Sequence, residues 1–112
     1  MTTYDLMIKV KDILEANGFE TSSPRIANKK DFETSGTAVR KDRKELSVDF
    51  REVYRRNATD ENISVDIEVI KWDNNSGIRS GIRVAKQRIN SKMSDRSINN
   101  RVKKIMGAYE TL

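Results

Sequence analysis

Three cations recur at short, regular spacing in the stretch 76–89, SGIRSGIRVAKQRI: Arg79, Arg83 and Lys86. Cations lined up along one element can neutralise consecutive phosphates, gaining affinity as condensed counterions are released. On an α-helix these steps of four and three stack the cations into one stripe. They stack Ile78, Ile82, Ala85, Ile89 and Met93 into an apolar stripe beside it. The spacing therefore predicts a basic helix over 78–92, with Ser76 or Ser80 as its cap. Ser94 can cap a further helix, Asp95–Met106, that Gly107 would close. Arg79, Arg83 and Lys86 are the first candidates for phosphate contact, and Arg88, Arg101, Lys103 and Lys104 the second.

Charge distribution points the same way. Positions 74–112 hold nine Lys/Arg against two Asp/Glu, whereas 45–73 hold four against eight. A basic C-terminal third beside an acidic middle is the asymmetry expected of a nucleic-acid binder. The chain has no histidine and no cysteine, which excludes disulfides, imidazole or thiolate metal sites, Cys nucleophiles and His-based triads. Only oxygen ligands remain for a metal, so no metal site, no cofactor and no enzymatic activity are expected. With seven aromatic residues in all, duplex backbone contact is a better expectation than single-strand stacking.

The elements that position these residues are legible to different degrees. Leu6, Met7, Val10, Ile13 and Leu14 fall on one side of a helix over 3–17 that Gly18 would end. Leu46, Val48, Phe50 and Tyr54 alternate with polar residues, as do Ile63, Val65, Ile67 and Val69, which reads as two strands. Joined through a turn-rich loop at 55–62, they form an antiparallel hairpin with Arg51 opposite Asp66. The segment 21–45 reads as a loop or arm, with short strands near 19–22 and 37–40 and a charged turn, Arg40–Lys44. The expected fold is one α+β domain over 1–112: an N-terminal helix, a β-hairpin or small sheet of two to four strands, and two C-terminal helices. No apolar run approaches the roughly eighteen residues of a membrane span, and the charged N-terminus does not read as a signal peptide. The expected location is the cytoplasm, or the inside of a host cell or virion.

Three local likenesses bear on function. Gly77-Ile78-Arg79-Ser80 with Ala85-Lys86, after a helix and strands, resembles the second-helix signature of double-stranded-RNA-binding domains, although Gly81 and Ile82 stand where that family has a lysine pair. Ser94–Met106 resembles the recognition helix of a helix-turn-helix. Asp49 with Glu68 and Lys71 resembles the Asp…Glu-x-Lys metal site of restriction-endonuclease-like nucleases, but with two residues between Glu and Lys instead of one. The leading expectation is a small non-enzymatic nucleic-acid-binding accessory protein that contacts phosphates through the basic C-terminal helices. The alternative is a protein-interaction or assembly module, of the viral or phage accessory type, that self-associates through its acidic and basic faces.

Overall fold

A computed structural model of the chain describes residues 3–22, 25–26, 34–43, 45–53, 63–75 and 77–112. The first helix, α1 (Thr3–Ala16), ends as its sequence requires. Gly18 takes the left-handed φ of 86° that a side chain disfavours, its N–H donates to the Glu15 carbonyl, and the Phe19 N–H donates to the Leu14 carbonyl. That reversal drops Phe19 into the core, edge-on to Tyr109 with ring centroids 4.9 Å apart.

Then come β1 (Glu20–Thr21), β2 (Arg25–Ile26), β3 (Thr34–Val39), β4 (Leu46–Glu52), β5 (Ser64–Asn75), β6 (Ile78–Asn90) and a final helix, α2 (Asp95–Thr111). The strands form one antiparallel sheet in the order β1-β3-β4-β5-β6, with β2 lying beside β1 along the same flank of β3. The alternation in β4 and β5 sets the register, and Arg51 does stand opposite Asp66. Tyr54, the loop 55–62 and Lys44 lie outside the described residues.

Two expectations fail. There are not two C-terminal helices over two to four strands: the described elements are one C-terminal helix and a sheet of five strand positions, because 78–90 is a strand. Glycines at 77 and 81 weaken a helix there, while Ile82, Val84 and Ile89 suit a pleated surface. Asn75 pairs with Ile78 across a two-residue connection, where Gly77 supplies a φ of 78°. The other failure is the end of α2, which runs through Gly107 to Thr111. A glycine inside a helix costs about 1 kcal/mol. Burying Tyr109 beyond it gains more, about 1.5–3 kcal/mol for a large side chain. Its hydroxyl also accepts from the Arg40 N–H and donates to the Arg43 carbonyl.

Both helices pack on one face of the sheet. Leu6, Met7, Val10 and Leu14 of α1 and Ile98, Val102, Ile105, Met106 and Tyr109 of α2 close over Ala38, Leu46, Val48, Phe50, Val65, Ile67, Val69 and Ile89. Lys9 of α1 and Asp95 of α2 pair across the seam between the helices. Within the expected charged turn Lys41 and Asp42 are exposed, but Arg43 donates to the carbonyls of Tyr109, Glu110 and Leu112, placing a cation at the negative end of α2.

Candidate interaction surface

The opposite face of the sheet carries no described helix, and the chemistry-bearing residues gather there. Val69 pairs with Ala85 but Ile70 pairs with Arg83, so Val84 is an extra residue, a β-bulge. Alternation runs in steps of two on either side of it and skips one at it. Arg79, Gly81 and Arg83 before the bulge therefore share a face with Lys86 and Arg88 after it. Arg79, Arg83, Lys86 and Arg88 are thus brought together, on a strand rather than a helix. Arg101, Lys103 and Lys104 are not among them. They sit on α2, on the far side of the sheet, where Arg101 donates to the Gln87 carboxamide and Lys103 and Lys104 are exposed.

Three of the strand's four cations are paired within the chain. Arg88 grips Asp66 with a fork, Nε to Oδ1 at 2.7 Å and Nη2 to Oδ2 at 3.2 Å, and Lys86 reaches the same carboxylate at 3.3 Å. Arg83 pairs with Glu68 at 3.2 Å. Asp66 is 5% exposed. Burial pushes its pKa upward, but the hydrogen bonds and charges of Arg88 and Lys86 outweigh it, and the carboxyl lies below its ordinary value. The same contact raises Arg88.

Arg79 is different. Its guanidinium lies 4.3 Å from the ring centroid of Trp72, and no carboxylate pairs with it among the described residues. The Trp72 indole N–H donates to Ser47 Oγ at 2.9 Å, and that hydroxyl donates to Asp49 Oδ1 at 2.9 Å. Burial raises the Asp49 pKa, and Glu68 directly opposite adds to the rise. The Ser47 hydrogen bond and the charges of Arg79 and Arg51 oppose it. Gly81 completes the cluster: a Cβ there would stand 2.8 Å from the Trp72 ring, so the bare backbone makes room for the indole.

The hairpin outruns the sheet. β4 pairs with β5 as far as Lys71 and the Trp72 N–H still donates to the Glu45 carbonyl, so among the described residues 73–75 and 78–80 pair with each other alone and form a two-stranded arm. Three further pairs at about 3.4 Å per residue project about 10 Å past that bond. No described strand lies on the outer flank of β6. On the helix side the cover has ended, and Ile82 is 64% and Val84 39% exposed.

The local likenesses do not survive this geometry. β6 occupies the place of the RNA-binding family's second helix, and the element directly before α2 is that strand, so no helix-turn-helix forms there. Asp49 and Glu68 face each other, but Lys71 points to the opposite side of an unbulged β5. Among the described residues no three acids cluster to hold a metal ion. No described helix is long and apolar enough to cross a membrane. A groove of about 510 Å³ between α1 and α2 is lined by Lys9, Asp12, Ile13, Asp95, Arg96, Ile98 and Asn99, with the Lys9–Asp95 pair at its rim. No protein-family model, no curated protein and no solved structure matches the chain.

Proposed function

We propose that this protein works by contact rather than catalysis, as an assembly module that associates with other protein chains through the β5–β6 arm. The observation that carries the reading is the arm's exposed apolar root beside a strand flank that no described strand pairs with. A projecting ribbon with bare backbone donors and acceptors and an exposed Ile82 gains from a partner that covers both. Charge supports this form of association over a purely electrostatic one, because Asp66 and Glu68 already pair with three of the four β6 cations. Sedimentation over a concentration series tests it. Mass rises with concentration in the wild type, and Ile82→Asp shifts the rise to higher concentration. A monomer mass throughout overturns the reading.

Nucleic-acid binding through phosphates is the second reading, favoured by Arg79 and by Lys103 and Lys104, which have no ion-pair partner among the described residues. These groups lie on opposite sides of the sheet, so one duplex engages one set or the other. Binding to labelled duplex DNA and RNA across a salt series reads this. If α2 is the contact, Lys103→Ala/Lys104→Ala flattens the slope by about two phosphates. If the arm is the contact, Arg79→Ala does so by about one. Salt-independent, uniformly weak binding removes the reading.

A further inference from the structure

We propose that the partner of the arm is a second copy of this chain, whose β6 adds antiparallel to the outer flank of β6 about a two-fold axis at Ser80. The inference rests on the assembly reading and specifies its surface and occupant. Its grounds are the unpaired flank, the apolar exposure at Ile82 and the charge pattern of the tetrad Ser-Gly-Ile-Arg, which occurs twice over 76–83.

In a strand, a period of four keeps each residue type of the tetrad on a constant face. A two-fold axis normal to the sheet must pass through a residue, because opposed residues point to the same side. Centring it on Ser80 sets Arg79 opposite Gly81 of the other copy, and Ile82 opposite its position 78. Arg79 then meets Gly81 and Arg83 lies beside Gly77 of the turn, while positions 78 and 82 meet each other. Centring it on Gly81 sets Arg79 against Arg83, and centring it on Arg79 sets that residue against itself; like charges directly opposed are unfavourable. Centring it on Ile82 also spares the cations, but the second pair out from the axis then includes Val84, where the bulge breaks the ladder. The Ser80 axis keeps the pairs out to 78 and 82 on the regular part of β6.

Charge therefore selects both occupant and register. Arginines and a bulge on an edge strand ordinarily discourage pairing. Among the axes at 79 to 82 they discourage every register except the one in which the repeat complements itself. The resulting sheet is continuous across the two copies, and its contact is isologous, so it closes at two.

The chain's lack of cysteine makes the test clean. Ser80→Cys places two thiols opposite each other, with Cα atoms about 4.5–5.5 Å apart, within disulfide reach. Lys71→Cys, exposed on β5 and one strand removed from the axis, is the control. Under mild oxidation at micromolar protein, Ser80→Cys is expected to accumulate cross-linked dimer faster than the control by about tenfold or more, since association raises its local thiol concentration. The wild type is expected to sediment as a dimer in the same range. A wild-type oligomer without preferential Ser80→Cys cross-linking overturns the arm pairing but leaves the assembly reading standing. Equal cross-linking of the two variants reports random collision and also overturns it. A wild type that stays monomeric, with or without added duplex DNA, overturns both, and one that shifts only on adding DNA transfers the arm to the nucleic-acid reading.

Discussion

The two halves of the β5–β6 hairpin share backbone, pairing partner and direction, yet differ in what holds them. Toward residues 64–70 and 85–90 the ribbon is backed by α2 and flanked by β4, and Val65, Ile67, Val69 and Ile89 are fully buried. Toward residues 72–81 the same ribbon has no third strand among the described residues, and what anchors it is Trp72, whose backbone N–H donates to the Glu45 carbonyl and whose indole N–H donates to Ser47, itself bonded to Asp49. An isolated two-stranded ribbon is marginal in water. The difference teaches that the sheet's length is not dictated by its core: the arm extends beyond what burial in one copy explains.

The sharpest way to break the comparison is through the core. Phe50→Ala is expected to cost about 3–5 kcal/mol in chemical denaturation, because a fully buried ring is lost. Ile82→Asp, at an exposed site on the same sheet, is expected to stay within about 0.5 kcal/mol for the monomer. Equal costs would mean that the arm belongs to the core after all.

Next comes Asp66. Asp66→Asn leaves Arg88 and Lys86 without their shared anion and is expected to cost about 1–3 kcal/mol. The pH dependence has a definite sign. Asp66 has a lowered pKa in the fold, so its stabilisation is present above the ordinary value of 3.8 and is lost as pH falls through the depressed folded value. Asp49 has the opposite sign. With its folded pKa raised, its contribution is present below 3.8 and lost as pH rises through the raised value. Asp49→Asn is therefore expected to stabilise at neutral pH and to leave the acid limb of the denaturation curve to Asp66.

The α2 substitutions are smaller. Ser94→Ala removes the side chain that accepts from the Ser97 N–H and is expected to cost about 1 kcal/mol. Gly107→Ala meets nothing within 4 Å and is expected to gain about 0.5–1 kcal/mol, read as a rise in Tm. Smaller in energy but most direct is amide exchange: the amides of 73–75 and 78–80 should exchange faster than those of 65–69 in dilute protein. Protection that grows with concentration in the arm alone sharpens the contrast into an interface.

Much of the body was legible because its residues obey one period at a time. The α1 stripe ended at Gly18, alternation in β4 and β5 set Arg51 against Asp66, and Ser94 capped α2. The strand β6 was not legible as such, for a definite physical reason. The bulge at Val84 inserts a step of three between Ile82 and Ala85, and between Arg83 and Lys86, and a step of three is what a helix shows. A tetrad repeat fits either period. The two glycines and the β-branched residues were the signal that favoured a strand. The grouping of Arg79, Arg83, Lys86 and Arg88 was found through the wrong element, and their acid partners were hidden because β6 was not yet beside β5. Arg101, Lys103 and Lys104 were joined to them only by assuming that two helices shared a side.

The placement of Trp72 has a practical consequence. It is the chain's single tryptophan, at the joint between arm and body, hydrogen-bonded through its indole N–H and covered by one guanidinium. Its emission therefore comes from one site, and anything that lifts Arg79 away, dries the ring or wets it changes wavelength and intensity together. The molecule carries a label-free optical gauge at the place where a partner would seat, readable by titration at nanomolar to micromolar protein without altering an atom of it.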